Sequence, residues 1–219
     1  MTLQFNREVE KLKTRLLTLG SLTEQAVRQA VAAIKNADKP LAKSVIENDN
    51  EIDRLEVDIE EDCLKILALY QPVAKDLRYI VSILKINSDL ERIGDLAIKI
   101  AKHAETIDPN VKVELHPDYI DMAREVEIML KKCLDCVVNM DASLANSVRL
   151  MDDKIDKMNK DIRVEILAKI TGNPENIDSF LQILSIPRYL ERIADHAVNI
   201  AEDVIYTTQG RIVRHREDT

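Results

Sequence analysis

The chain has 219 residues, with 39 acidic against 31 basic side chains and a formal net charge of −8. That acidity argues against a nucleic-acid binder, whose electrostatic footprint is basic, and it suits a protein that attracts cations or meets basic partner surfaces. Four Gly, six Pro, two Phe and no Trp point away from sheet and toward helix.

In chain order, a long helix is expected from about Phe5 to Lys35, broken around Asn36-Ala37-Asp38-Lys39-Pro40. A second is expected from about Pro40 to Leu69 and a third from Val73 to about Glu105. The segment Thr106-Ile107-Asp108-Pro109-Asn110, continuing to Pro117, reads as a linker, because Pro and Asx residues interrupt helices. Three more helices follow, near Asp118–Met140, Ala142–Ile170 and Glu175–Thr207. Asp141 is the expected N-cap of the second of these, and Thr171-Gly172-Asn173-Pro174 the stop before the last. These breaks divide the chain into 1–108, 109–210 and a fraying tail, 211–219.

The two halves echo one another. Leu90-Glu91-Arg92-Ile93-Gly94-Asp95-Leu96-Ala97 returns 100 residues later as Leu190-Glu191-Arg192-Ile193-Ala194-Asp195-His196-Ala197. Asp49, Ile52, Asp53 and Asp58 return as Asp152, Ile155, Asp156 and Asp161 at an offset of 103, and Arg7-Glu8-Val9-Glu10 as Arg124-Glu125-Val126-Glu127 at 117. The offset changes only between elements, as a duplication with altered loops and helix ends requires. The expected fold is therefore all-α: two tandem three-helix bundles related by an internal pseudo-twofold, the first helix of copy one being the longer.

A seam of 3.5-residue period runs along the third helix of each copy. It comprises Ile83, Ile86, Leu90, Ile93, Ala97, Ile100 and Ala104, then Ile183, Ile186, Leu190, Ile193, Ala197, Ile200 and Val204. Such spacing is bundle packing, and each buried Leu or Ile contributes roughly 1.5–3 kcal/mol. Gly94 and Ala194 flank the seam, where a small residue admits a neighbouring helix.

Four acidic pairs at i, i+4 lie on single helix faces: Asp49/Asp53, Glu91/Asp95, Asp152/Asp156 and Glu191/Asp195. About seven such pairs are expected by chance at this acidic content. Chance does not explain their recurrence in register in both copies. Like charges one turn apart destabilise a helix by about 0.2–0.5 kcal/mol, and a cation held between two pairs would reverse that. Carboxylates suit Mg, Mn, Ca or Fe, and a solvated acidic face is the plainer alternative. Glu91 and Asp95 project sideways from the seam, so such a cation would sit on the bundle surface.

Enzymatic readings find less support. None of His103, His116, His196 or His215 has a Glu three residues before it, as an interior di-iron site requires. No phosphate loop, nucleophile elbow or dinucleotide fingerprint is present. Cys133-Leu134-Asp135-Cys136 reads as core packing, and Asp76-Leu77-Arg78 as an intrahelical ion pair. His196 reads as a partly exposed histidine rather than a ligand beside Asp195, because adjacent helical residues diverge by about 100°. With Cys63, the three sparse cysteines fit a reduced cytoplasmic setting. No run of about 18 apolar residues is present to cross a membrane, and the N-terminus lacks a secretory signal core. A metal-dependent hydrolase or redox enzyme, and a purely structural helical partner, remain the alternatives to a helical scaffold with surface metal sites.

Gln71-Pro72-Val73-Ala74-Lys75-Asp76-Leu77-Arg78, with the Leu90–Asp95 and Leu190–Ala197 motifs, resembles the PhoU family of bacterial phosphate-signalling proteins. The resemblance covers nearly the whole chain. It implies a cytoplasmic, non-enzymatic, frequently homodimeric repressor of the phosphate-starvation response. It also implies two partners, the ATPase of the phosphate ABC transporter and a sensor histidine kinase. Some members bind metal clusters (Fe, Mn, Mg or Zn) through E/D-x-x-x-D motifs. Those motifs fall here on Asp49, Asp53, Glu91, Asp95, Asp152, Asp156, Glu191 and Asp195. Copy two reads Asn176-Ile177-Asp178 where copy one has Asp76-Leu77-Arg78, so any role of that segment belongs to copy one.

Overall fold

A computed structural model describes residues 3–106, 117–172 and 177–213. The described residues form eight helices: α1 (Leu3–Asn36), α2 (Lys39–Glu47), α3 (Asp49–Tyr70) and α4 (Ala74–Thr106), then α5 (Pro117–Asn139), α6 (Ala142–Arg149), α7 (Asp152–Gly172) and α8 (Ile177–Gln209). No strand occurs among them. Most of the expected linker, Ile107–His116, falls outside the described residues, as do Asn173–Asn176 and the last six residues of the tail.

Each copy is a three-helix bundle, with one departure from the sequence reading. The single helices expected over Pro40–Leu69 and Ala142–Ile170 are each divided, into α2 and α3 and into α6 and α7. The physical reason is local. Asn48 and Leu150 keep right-handed backbone angles (φ −79°, ψ −5°; φ −71°, ψ −12°). Three-residue turns close there, with the Glu51 N–H donating to Asn48 O and the Met151 N–H to Val148 O. A tightened turn of this kind leaves the apolar period unbroken, so periodicity reads straight through it.

The corners before α2 and α6 are duplicated in chemical detail. Ala37 (φ 50°) ends α1 and Met140 (φ 49°) ends α5, both left-handed. The next N–H closes a six-residue loop in each, from Asp38 to Ala33 O at 2.9 Å and from Asp141 to Cys136 O at 3.1 Å, the helix-ending pattern of a left-handed cap. Asp38 then accepts from the Leu41 N–H at 2.9 Å, and Asp141 from Ser143 at 2.8 Å and Leu144 at 3.1 Å. Each aspartate thus satisfies orphan donors of the next helix.

Helices α4 and α8 form the centre, packed on each other and on the other helices of their own copies, while α1 and α5 make a second contact between copies. All fourteen seam positions are buried, as the 3.5-residue period predicts. α1 spans 34 residues against 23 for α5, about three turns longer. A Cβ on Gly94 would lie 3.3 Å from two Ile52 carbons, so the small residue beside the seam lets α3 close on α4. Gly20 does the same between copies, where a Cβ would meet Leu134 Cδ2 at 2.7 Å.

One repair is specific to copy two. Pro187 lies inside α8, and its missing N–H deprives the Ile183 carbonyl of its helical donor. The buried Tyr119 hydroxyl of α5 donates to Ile183 O instead, at 3.0 Å. Burial pushes the Tyr119 phenol above its ordinary range, with Glu165 adding to the effect.

Candidate metal centre

The divided second helix decides where the first acidic pair of each copy sits. Asp49 opens α3 and Asp152 opens α7, where helix N-termini favour negative charge. Asp53 and Asp156 follow one turn later. Glu91 and Asp95, and Glu191 and Asp195, stand midway along α4 and α8, the helices packed against α3 and α7 respectively. All eight predicted residues therefore fall on two facing helix pairs, and all are partly or fully exposed.

Within each copy the carboxylates feel one another across the helix pair. Asp49 is raised above the usual carboxylate range by burial, then by Asp53 and Asp95. Burial also raises Glu91, reinforced by Asp95, opposed by Arg92 and reinforced again by Glu56 and Asp53. In copy two, burial followed by Asp156, Asp195, Asp153 and Glu191 pushes Asp152 up to about 6. Asp195 is raised by burial and Asp156, against the opposing His196 and Arg192. Burial and crowding by like charge thus outweigh the nearby arginines at Glu91 and Asp195, as expected of half-buried carboxylates that share a site.

The most telling single atom is Asp152 Oδ1, which is buried and has no hydrogen-bond partner. Unpaired buried oxygens on a carboxylate are costly, and a hard cation is the chemistry they fit. As the side chains stand, no three His, Cys, Asp or Glu among the described residues form a ready coordination shell. Closure of either cluster would need rotation of partly exposed side chains.

Sequence reasoning missed two neighbours. Glu56 adds a carboxylate to copy one, where the Asn87 amide donates to its backbone oxygen at 2.9 Å and its side chain at 3.2 Å. The duplication hides it, because the matching position in copy two is Asn159. Arg92 lies 3.4 Å from Glu91 and 3.5 Å from Asp95, a tether that partly neutralises copy one.

Other expectations resolve differently. The Asp76–Arg78 ion pair is not formed; the Arg78 guanidinium lies beside Gly210, just past α8, within 4 Å of where a Cβ would stand. A cation there faces the negative end of the α8 dipole, an association possible only after folding. His196 is partly exposed, as expected, but sits at the junction of the copies with its Nδ1 2.8 Å from Asp89 Oδ1 on α4. Cys133 and Cys136 are fully buried and free, as core packing requires.

Comparison with known proteins gives the arrangement its family. The PhoU domain matches twice, over residues 16–104 and 119–204. The chain belongs to the PhoU family. It is 42% identical over 217 residues to the phosphate-specific transport system accessory protein PhoU homolog of Pseudomonas aeruginosa, covering 97% of this chain and 88% of that protein. Against the Escherichia coli K12 protein PhoU of the same description it is 35% identical over 212 residues, 97% of this chain and 88% of that one. The crystal structure of PhoU from P. aeruginosa superposes with a TM-score of 0.88 at 40% identity, over 94% of this chain and all of that one. PhoU from Streptococcus pneumoniae, described as a phosphate transport system regulatory protein, gives 0.89 at 32%, over 95% and 99%. The PhoU fold and its internal repeat thus extend over nearly the whole chain, and no helix among the described residues is long and apolar enough to cross a membrane.

Proposed function

We propose that this PhoU-family chain is a non-enzymatic accessory protein of phosphate uptake. It works in the cytoplasm as a helical adaptor between the ATPase of a phosphate ABC transporter and a sensor histidine kinase, in homodimeric form. Relatives 35–42% identical over nearly its full length, which are phosphate-specific transport system accessory proteins, support the transport role. The regulatory part draws on the description of the S. pneumoniae protein.

The adaptor carries two surface cation sites. Asp49, Asp53, Glu91 and Asp95 hold one, and Asp152, Asp156, Glu191 and Asp195 the other, for a divalent or trivalent ion such as Fe, Mn, Mg or Zn. The observation that carries this part is the orphaned Asp152 Oδ1 among crowded carboxylates. A bound cation would supply positive charge that relieves their repulsion. The protein's own contribution is to fix α3 against α4 and α7 against α8, which aligns the acidic pairs before any ion arrives.

The test is to strip the purified protein with chelator and titrate it with Mn, Mg, Fe and Zn. Saturable uptake at two sites is expected, with affinity of the copy-two site falling at least tenfold in Asp152→Asn/Glu191→Gln and that of the copy-one site in Asp49→Asn/Glu91→Gln, and unchanged uptake in both variants would remove the metal part. Pull-down of the transporter ATPase and the kinase tests the adaptor part, which fails if neither is captured.

A further inference from the structure

Copy two differs from copy one in the sign of its charge at one place beside the carboxylates. Asn159 and Arg163 lie one turn apart on α7, and Ser185, Arg188 and Glu191 recur at three-residue steps on α8. These faces meet in a groove of about 360 Å³, with Leu181 and Leu184 forming its apolar wall. Neither guanidinium has a carboxylate within 4 Å among the described residues. In copy one the matching positions of Asn159, Arg163 and Arg188 are Glu56, Glu60 and Ser88, and there Glu56 is pushed up by burial and by Glu60 and Asp53. Duplication therefore produced one anionic face and one cationic face on the same framework.

We propose that the α7–α8 groove of copy two is a binding site for a tetrahedral phosphoryl group, held by Arg163 and Arg188 with the Asn159 amide as a further donor. Planar guanidinium forks match phosphoryl oxygens in geometry and charge. Ser185 already donates to Leu181 O at 3.3 Å, so the main donors are the two arginines and the amide. Free orthophosphate and a phosphorylated side chain share this chemistry, and the apolar wall gives the second a place for its stem.

Glu191 lines the same groove and repels an anion while it stands alone. A cation on the copy-two carboxylates would cancel that repulsion, so cation and phosphoryl group should each tighten the other's binding. This coupling, unlike the anion site itself, rests on the cation reading above.

The test is titration calorimetry of the full chain with inorganic phosphate and, separately, with O-phosphoserine, on chelator-treated and Mn-loaded protein. One saturable site per chain is expected, weakened at least tenfold in Arg163→Gln/Arg188→Gln with an unchanged circular dichroism spectrum. Glu60→Gln/Ser88→Ala, at the copy-one counterparts of the two arginines, should leave it unaltered. Tighter binding of orthophosphate identifies the free ion as the occupant, and tighter O-phosphoserine a phosphorylated side chain. Absence of saturable binding of both probes in both metal states overturns the proposal, as does equal affinity in the arginine variant. Mn uptake, followed on the same samples, separates the two readings. Mn uptake without phosphoryl binding overturns the anion site alone, whereas arginine-dependent phosphoryl binding without Mn uptake supports it and overturns the cation site.

Discussion

Replacing Tyr119 by Phe tests the account of copy two most sharply, because it removes one oxygen and almost nothing else. The phenol is buried, 5% exposed, and its hydroxyl donates to the Ile183 carbonyl at 3.0 Å. Pro187 cannot supply the usual helical donor, so the substitution leaves a buried carbonyl without a partner. An unsatisfied buried acceptor costs about 1–3 kcal/mol, while the Phe ring keeps the apolar contact. For a chain of this size that corresponds to a fall in Tm of roughly 2–4 °C per kcal/mol. Urea unfolding followed by far-UV circular dichroism reads the change directly. Pro187→Ala restores an N–H at that position, so in its background Tyr119→Phe should cost no more than about 0.5 kcal/mol, a coupling that a double-mutant cycle isolates. An equal loss in both backgrounds, or none in the parent, would refute the reasoning.

Other consequences follow from the carboxylates, the glycines and the thiols. Asp152 rises from 3.8 to about 6, so the folded, metal-free chain binds this proton more tightly than the unfolded one, and stability should decline as pH climbs between those values. Two units are worth roughly 3 kcal/mol at face value. Screening of a half-exposed group cuts that to about 1 kcal/mol, so Asp152→Asn should raise the urea midpoint of stripped protein above pH 6 and flatten its pH dependence. Metal affinity should strengthen as pH rises through the same window, since a proton competes for the carboxylate; isothermal titration at several pH values measures it. Gly20→Leu should destabilise by about 1–3 kcal/mol through overpacking against Leu134 and be largely rescued by Leu134→Ala, both read from urea midpoints. Cys63, Cys133 and Cys136 are buried and free, and burial pushes the Cys63 thiol up to about 12. Ellman's reagent should therefore leave the native chain essentially unlabelled and react with all three thiols after unfolding.

What the linear chain determined is whatever depends on neighbours within one helical turn. The seam from Ile83 to Ala104 and its second copy, the Asp141 cap and the four acidic pairs all lie at spacings of three or four residues. The duplication then made the pairs visible as a set. The breaks at Asn48 and Leu150 escaped because a tightened turn leaves that spacing intact, and Glu56 escaped because its copy-two counterpart is Asn159. Tertiary structure alone decided the rest: that α4 meets α8, that His196 finds Asp89 across 107 residues, that Tyr119 repairs the carbonyl left open by Pro187. It alone set Arg163 beside Arg188. Those contacts join residues whose separation in sequence carries no period, so only the packing of apolar faces, which fixes each helix's rotation about its axis, could bring them together.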